Sequence, residues 1–353
     1  MKDNSSSSSS DSKTDKKETD NKGIENEKIG DKKPGDFINC ILFSKYKIIK
    51  KIAKGNFSHI YQAINSKGDN FCCKIESINS PQLLLEKESK IMDYLRGNNI
   101  PNIKLYGQSG VYNVLIMDLL GKSLDYYIRK IGKFSLKTTV MLAYQMLDIL
   151  EYIHVRHIIH RDIKPGNFLM GLGKSSLDLF IIDFGFAKKY RSNKTSKLNK
   201  LTEGHKLTGT ARFASINAMK GLEQSCRDDL ESLGYVIYYF LKGSLPWQGI
   251  KEKSIDELNR KILDKKIKIK SEELGQNLPV QFCEFLEYAK NLKYDEQPNY
   301  TLFKRKIKEI ICVDNNESNF DKIYDCIDKQ KVERDKNKEV KETEKVETTC
   351  CKM

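Results

Sequence analysis

The sequence contains no run of about 18 apolar residues, the length that a membrane-spanning helix requires. Its first residues, MKDNSSSSSSDSKTDKK, include no apolar segment, so we expect no secretory signal there. None of the nine cysteines forms a CxxC pair, and none has a histidine at the spacing of a zinc site. These absences predict reduced thiols and a cytoplasmic or nuclear location.

The chain is rich in positive charge. Its 353 residues include 62 Lys and Arg against 48 Asp and Glu, a formal net charge of +14. This excess predicts an acidic partner, and composition alone leaves nucleic acid, anionic lipid and acidic protein open. Residues 1–36 carry a net charge of −1 and residues 328–353 a net charge of +1, so the segment between them carries the whole excess.

Both ends of the chain lack aromatic residues and apolar periodicity, which predicts disordered tails. We therefore place one folded domain at residues 37–318, with charged tails at 1–36 and 319–353. The apolar pattern of this domain predicts an α+β fold with two lobes, a small β-rich lobe with one helix at about 43–120 and a larger α-helical lobe at about 121–318. The expected strands are 46–53, 58–64, 70–75, 111–119, 168–170 and 177–182, and the expected helices are 81–96, 136–155, 228–243 and 278–292.

Two motifs carry the chemistry. The segment His160-Arg161-Asp162-Ile163-Lys164-Pro165-Gly166-Asn167 is followed, sixteen residues after its end, by Asp183-Phe184-Gly185. This pair at this spacing is typical of the catalytic loop and the metal-binding loop of protein kinases. We expect Asp162 to orient the attacking hydroxyl, Lys164 to stabilise charge on the transferred phosphoryl group, and Asn167 and Asp183 to hold Mg²⁺. A lysine two residues after the aspartate favours a Ser/Thr kinase.

Lys74 ends the predicted strand Phe71-Cys72-Cys73-Lys74, where a kinase needs a lysine for the α- and β-phosphates of ATP. A glutamate on the next helix should hold it, and Glu86 and Glu88 compete for that role. Glu88 shares a helix face with Leu84, Ile91 and Leu95, whereas Glu86 is displaced by about 200°. We expect Glu88 to be the partner, with Glu86 as the fallback.

The segment Ile52-Ala53-Lys54-Gly55-Asn56-Phe57-Ser58 lies where a kinase has its phosphate-covering loop. Such loops are rich in glycine so that backbone amides can approach the phosphates. Here Gly55 is the one glycine kept, and Ala53 and Ser58 occupy the other two glycine positions. We expect the loop to cover ATP, and a catalytically weak or inactive domain is the alternative.

Three further segments make residues 43–311 resemble the casein kinase 1 family of Ser/Thr protein kinases. They are Asn167 to Gly173 (NFLMGLG), Leu207 to Asn217 (LTGTARFASIN) where other kinases carry Ala-Pro-Glu, and Glu223 to Tyr235 followed by Gly243 to Gly249 (GSLPWQG). Three residues depart from the pattern of that family without touching the predicted phosphoryl chemistry: Gly166 replaces Asp, Phe186 replaces Leu and Cys226 replaces Arg.

The resemblance implies further roles. Asp229 should brace the backbone of the catalytic loop, and Thr210 should contact Asp162 and Lys164. Met117 should guard the adenine pocket while also packing in the core, and residues 118–120 should form the hinge that pairs with adenine. The residues expected around ATP are Ile52, Ala53, Gly55, Ile60, Lys74, Met117, Asp118, Leu120 and Leu169.

The resemblance also implies a substrate class. Members of the family usually act without phosphorylation of the activation segment, and they favour Ser or Thr preceded, three residues earlier, by a phosphorylated or acidic residue. Residues 188–206, with a net charge of +6, would attract such substrates. We expect Arg212, His205 and Lys206 to contact the substrate anion.

The alternative for Arg212 is a structural ion pair. The family typically places two lysines near this arginine, and His205 and Leu258 stand at those positions here. This departure predicts a weaker dependence on pre-phosphorylated substrates.

Both tails contain candidate modification sites. Ser6, Ser9 and Ser12 follow one another at three-residue intervals, and we weigh a relay of autophosphorylation sites against a plain linker. At the other end, Cys350 and Cys351 suit lipidation, which would attach the protein to membranes, although Lys352 disfavours farnesylation. An inert cytosolic tail is the alternative.

The sequence therefore favours a monomeric Ser/Thr protein kinase that uses ATP and Mg²⁺ on acidic or phosphorylated protein substrates. The rival from another class is an inactive kinase-like scaffold that binds acidic partners through the same basic face. A nucleic-acid-binding protein ranks last, because the sequence shows no nucleic-acid-binding module and no such partner is expected.

Overall fold

The computed structural model describes residues 37–55, 57–97, 99–192, 197–312, 320–325 and 327. The predicted tail at 1–36, with Ser6, Ser9 and Ser12, lies outside these residues, as do Cys350 and Cys351. Within the described residues, no helix combines the length and the apolar character needed to cross a membrane.

The N-terminal lobe is built on one antiparallel sheet, to which six of the described strands belong. They are β1 (Ile41–Leu42), β2 (Tyr46–Lys54), β3 (Ser58–Ile64), β4 (Asn70–Ser77), β5 (Ile103–Ser109) and β6 (Tyr112–Asp118). Their order in the sheet is β1-β2-β3-β4-β6-β5, and the helix α1 (Leu85–Tyr94) connects β4 to β5 along the chain. The four strands predicted for this lobe are present, whereas β1 and β5 were not predicted.

The C-terminal lobe is mostly helical. Its described helices are α2 (Leu124–Ile131), α3 (Leu136–His154), α4 (Ile216–Met219), α5 (Cys226–Lys242), α6 (Ile255–Lys268), α7 (Ser271–Leu274), α8 (Val280–Asn291) and α9 (Tyr300–Glu309). Two small strand pairs complete it: β7 (Ile158–Ile159) pairs with β10 (Lys188–Lys189), and β8 (Phe168–Met170) pairs with β9 (Leu179–Ile181). The predicted α+β fold, with a β-rich first lobe and a helical second lobe, is confirmed.

The helices α3 and α5 form the centre of the C-terminal lobe and are buried over most of their length. Local signals fix their ends. The Oγ atom of Ser135 accepts a hydrogen bond from the amide of Thr138 and begins α3, as a capping serine does. Gly243 ends α5 with a φ of 76°, a left-handed conformation that glycine adopts without a Cβ penalty.

Residues 320–325, which the sequence placed in the C-terminal tail, lie against the helical lobe. Tyr324 is buried, and Asp325 accepts a hydrogen bond from the amide of Ser135 at 2.8 Å. Lys137 forms an ion pair with Asp321 at 2.8 Å. These contacts join the segment to the beginning of α3.

The helix α1 receives its N-terminal cap from a distant strand. Leu84 precedes the helix and supplies no capping side chain. Instead, the buried carboxylate of Glu76, on β4, accepts hydrogen bonds from the amides of Leu84 at 3.0 Å and Leu85 at 3.3 Å. A negative charge at a helix N-terminus also interacts favourably with the helix dipole. Glu76 therefore fixes where α1 begins, four residues later than the sequence pattern predicts.

We predict that Glu76→Ala lowers the free energy of unfolding by about 1–3 kcal/mol, because two buried amides lose a charged acceptor. The measurement is urea unfolding followed by circular dichroism. Glu86→Ala is the matched control, because Glu86 is exposed on the same helix and pairs with Lys90 at the surface. Equal losses in the two variants would contradict the capping role.

Candidate active site

The segment between β7 and β8 brings the predicted catalytic residues together around Asp162, which is buried. Lys164 Nζ donates a hydrogen bond to Asp162 Oδ2 at 2.5 Å, and Thr210 Oγ1 donates one to Asp162 Oδ1 at 2.9 Å. Lys164 Nζ also lies 3.3 Å from Thr210 Oγ1. The contact of Thr210 with both residues, expected from the family resemblance, is therefore present in the structure.

The amide of Asn167 is oriented by the same aspartate. Its Nδ2 atom donates to the backbone carbonyl of Asp162 at 2.8 Å and lies 3.2 Å from Asp162 Oδ2. Since the nitrogen side is engaged in this way, the Oδ1 atom of Asn167 is left as an acceptor on the opposite side of the amide.

Lys74 links the two lobes through two carboxylates. Its Nζ atom lies 2.6 Å from Glu88 Oε2 on α1 and 3.2 Å from Asp183 Oδ1. The predicted contact with Glu88 is thus observed, whereas Glu86 is exposed and pairs with Lys90. Burial alone would lower the pKa of Lys74, but the two carboxylates hold it above its ordinary value.

Asp183 has a strained backbone and a stabilised charge. Its φ of 70° and ψ of 65° are left-handed, a conformation rare for residues other than glycine and common at functional sites. Burial would raise its pKa, but the positive charges of Lys74 and Lys164 outweigh that effect and lower it. Asp183 is therefore an anion at neutral pH.

The donor set fits a hard divalent cation. Asp183 Oδ2 has no hydrogen-bond partner among the residues that the structure describes, and Asn167 keeps a free amide oxygen. In the same part of the chain, no cluster of three or more His, Cys, Asp or Glu side chains could hold a metal alone. One carboxylate and one amide oxygen suit Mg²⁺, which takes its other ligands from phosphates and water.

A buried carboxylate on α5 holds the backbone of the catalytic loop. Asp229 Oδ2 accepts a hydrogen bond from the amide of His160 at 2.7 Å, and Oδ1 accepts one from the amide of Arg161 at 2.9 Å. This is the bracing contact that the resemblance predicted for Asp229.

The sequence did not reveal His154, whose ring lies behind the same carboxylate. Its Nε2 atom lies 2.9 Å from Asp229 Oδ2, and its Nδ1 atom contacts the hydroxyl of Tyr300. Burial would lower the pKa of His154, but contacts with Cys226 and Asp229 raise it to about 10. His154 is therefore a buried imidazolium that compensates the charge of Asp229.

Because the pKa of His154 is raised from 6.5, the stabilisation from its charge is complete below about pH 6.5 and is lost as the pH rises towards 10. Between pH 7 and 9 this group should make the free energy of unfolding fall by about 1.4 kcal/mol per pH unit. We predict that the stability difference between the wild type and His154→Gln, measured by urea unfolding, shrinks over this range. A constant difference would contradict the assignment.

Gly209 is a second residue whose role the sequence did not reveal. Its φ is +89°, and a Cβ atom there would lie 2.5 Å from the carbonyl oxygen of Arg161 and 3.0 Å from Asp162 Oδ1. Any side chain at this position would collide with the catalytic loop. Glycine therefore lets Thr210 approach Asp162, and the signal in the sequence was its place beside that threonine.

The residues predicted around ATP come from both lobes. Ile52, Ala53 and Ile60 lie on β2 and β3, Leu169 lies on β8, and residues 118–120 form the link between the lobes. Met117 is buried at the end of β6. In the described part of the chain, the backbone of Leu120 makes no recorded hydrogen bond, which leaves its amide and carbonyl available for a ligand.

The phosphate-covering loop is a tight hairpin. The amide of Gly55 donates to the carbonyl of Ser58 at 2.8 Å, and Ala53 pairs with Ile60 within the sheet. Ala53 is thus held in strand geometry, which requires no glycine. Asn56 lies outside the described residues.

The predicted anion-contacting residues lie in two environments. Arg212 is exposed, and among the described residues it forms no ion pair, so the alternative of a structural ion pair gains no support. Its guanidinium lies 5.8 Å from the Phe213 ring centroid and 5.9 Å from that of Tyr239. Lys206 is exposed.

His205, in contrast, is engaged by a buried carboxylate. Its Nε2 atom lies 3.3 Å from Glu223 Oε2 and 2.7 Å from Thr202 Oγ1. Lys188 forms an ion pair with Glu223 Oε1 at 2.7 Å. Glu223 therefore compensates part of the positive charge that the sequence placed in residues 188–206.

A comparison with known families identifies the class. The profile of the protein kinase domain matches residues 46–344, which is most of the chain. The chain therefore belongs to the protein kinase domain family, as the arrangement of Lys74, Glu88, Asp162 and Asp183 also indicates.

Proposed function

We propose that the protein is a Ser/Thr protein kinase of the casein kinase 1 type, which transfers the γ-phosphate of ATP to acidic or pre-phosphorylated proteins. Membership in the protein kinase family supports phosphotransfer to a protein and the use of ATP and Mg²⁺. The observation that carries the proposal is the cluster of Lys164 and Thr210 on the two oxygens of Asp162.

In the proposed mechanism, Asp162 accepts a hydrogen bond from the substrate hydroxyl and orients its oxygen for attack on the γ-phosphate. Lys164 stands beside this carboxylate, where its charge stabilises the transferred phosphoryl group. Thr210 fixes one oxygen of Asp162, so that the carboxylate presents a defined orientation to the incoming hydroxyl.

Lys74 would contact the α- and β-phosphates of ATP, with Glu88 holding the lysine in place. Asp183 and Asn167 would hold Mg²⁺, which neutralises charge on the phosphates. The backbone of residues 118–120 would pair with adenine, and Ile52, Ile60 and Leu169 would cover its faces. The hairpin at Gly55 would lie over the phosphates.

Exposed positive charge supports the proposed preference for acidic substrates. Arg212 presents an exposed guanidinium in the segment that follows Thr210, and a guanidinium can grip a phosphate through two parallel hydrogen bonds. Lys206 adds an exposed charge nearby in sequence. Because Glu223 engages His205, we propose that this kinase depends less on pre-phosphorylated substrates than relatives with lysine at that position.

The proposed cellular location and membrane attachment of the protein rest on its sequence. We propose a monomer in the cytoplasm or nucleus, with membrane attachment only where Cys350 or Cys351 is lipidated.

We predict that the purified protein phosphorylates casein with ATP, and that Asp162→Asn lowers kcat by at least about a hundredfold with little change in the KM for ATP. The amide keeps the shape of the carboxylate but loses its charge. Asp93→Asn is the control, since Asp93 is exposed on α1 and, among the residues that the structure describes, forms an ion pair only with Arg96. Equal activity of wild type and Asp162→Asn would overturn the proposed role.

The substrate preference is tested with one serine peptide that carries phosphoserine, aspartate or alanine three residues before the acceptor. We predict that kcat/KM is higher for phosphoserine and aspartate than for alanine, with phosphoserine and aspartate within about tenfold of each other. Arg212→Ala should reduce the preference for the two acidic peptides. A phosphoserine advantage far above tenfold would contradict the weaker dependence on pre-phosphorylation.

A further inference from the structure

Lys266, on α6, is a fully buried lysine that the proposed mechanism does not use. Its side chain has 0% exposure, while its sequence neighbours Lys265 and Ile267 are exposed. Burial lowers the pKa of Lys266 to about 7, and the negative charge of Glu231 offsets this effect only in part. An ammonium is unfavourable in such a place unless it makes specific contacts.

The contacts of Lys266 are made with the segment that carries Thr210 and Arg212. Its Nζ atom donates hydrogen bonds to the carbonyl of Ala211 at 2.9 Å and to the carbonyl of Ala214. The same atom lies 4.6 Å from the ring centroid of Tyr235 and 5.0 Å from that of Trp247. Both distances are within the range of cation–π attraction, so the two rings help to hold the charge.

Trp247 binds the backbone of Arg212, which lies between Ala211 and Ala214 in the chain. Its Nε1 atom donates a hydrogen bond to the carbonyl of Arg212 at 2.7 Å. Lys266 and Trp247 together therefore bind the carbonyls of Ala211, Arg212 and Ala214 from the interior of the C-terminal lobe. The side chain of Arg212 remains exposed, and that of Thr210 reaches Asp162.

Two carboxyl groups on α5 accept hydrogen bonds from the residues that follow Ala214. Ile216 donates its amide to Glu231 Oε1 at 2.8 Å, and Ser215 donates its hydroxyl to Asp228 Oδ1 at 2.5 Å. The amino group of Lys266 thus donates to carbonyls before Ser215, and two carboxyl groups of α5 accept from the donors of Ser215 and Ile216. This arrangement lies at the end of the segment Leu207 to Asn217, which stands where other kinases carry Ala-Pro-Glu.

We propose that Lys266 is a positioning residue for the protein substrate: it holds the 210–214 segment so that Thr210 orients Asp162 and Arg212 faces the substrate anion. The inference rests on the proposed function, because it assigns Arg212 to substrate recognition. It requires that a change at Lys266 act on the peptide site and leave the ATP site unaffected.

The test uses Lys266→Met in the full-length protein. Methionine has a similar length, and replacing a buried charge by an apolar side chain is often tolerated. We expect kcat/KM for an aspartate-containing serine peptide to fall about tenfold to a hundredfold, through a higher KM because Arg212 is displaced and a lower kcat because Thr210 holds Asp162 less well, with the KM for ATP within about twofold. Lys265→Met is the matched control, since it removes an exposed lysine from the adjacent position, and it should behave as wild type.

Two further measurements separate positioning from folding. Trp247→Phe, which keeps an aromatic ring but loses the hydrogen bond to Arg212, should raise the KM for the peptide in the same direction. In an Arg212→Ala background, Lys266→Met should have a smaller effect on the KM for the peptide, because the residue through which it acts is absent.

Amide hydrogen exchange of residues 207–216 gives a readout that requires no catalysis. We expect faster exchange in Lys266→Met than in Lys265→Met. If Lys266→Met matches Lys265→Met in both exchange and peptide kinetics, or exchanges faster with unchanged peptide kinetics, the inference is overturned. If the wild type transfers no phosphate, the proposed function fails. The Kd of the same aspartate-containing serine peptide, carrying a fluorescent label, for the two variants then decides the inference in place of KM.

Discussion

The geometry of the catalytic loop depends on one buried carboxylate, that of Asp229. It accepts hydrogen bonds from the amides of His160 and Arg161, the two residues that directly precede Asp162. A buried carboxylate is tolerable only when its charge is compensated, and the imidazolium of His154 supplies the compensation. The position of the residue proposed to orient the substrate hydroxyl therefore follows from an ion pair on the far side of the loop.

Lys74 performs the corresponding task between the lobes. It joins Glu88 on α1 to Asp183 in the Asp183-Phe184-Gly185 segment, while Glu76 caps the beginning of the same helix. Both Lys74 and Glu76 lie on β4, two residues apart. A single strand therefore fixes α1 both at its N-terminus, through Glu76, and along its inner face, through the contact of Lys74 with Glu88. The segment after Thr210 is fixed from the other side by Lys266 and Trp247. The catalytic loop, α1 and the segment after Thr210 are thus each held by a buried titratable side chain, namely Asp229, Glu76 and Lys266.

Contacts between candidate site residues could be predicted from the sequence where chemistry restricts the residue type. Helix periodicity favoured Glu88 over Glu86 as the partner of Lys74, and the structure shows the ion pair between Lys74 and Glu88. Groups that act from a distance were not predicted, because no local pattern connects Glu76 to the end of α1 or His154 to Asp229. The buried position of Lys266 was not predicted either, because lysine is rarely buried, although it lies four residues after Ile262 and eight after Leu258, on the apolar face of α6. The strand β5 went unpredicted because Lys104, Gly107 and Gln108 interrupt its apolar alternation.

The central claim is that Asp162, Asn167 and Asp183 form an Mg²⁺-dependent site that phosphorylates serine or threonine. The most direct measurement is transfer of the γ-phosphate from ATP to an acidic serine peptide, with and without Mg²⁺, and with the modified residue located by mass spectrometry. The account predicts one phosphate on the serine hydroxyl, formed only when Mg²⁺ is present. The absence of any phosphorylated peptide from fully folded, ATP-binding wild-type protein with Mg²⁺ present would contradict it.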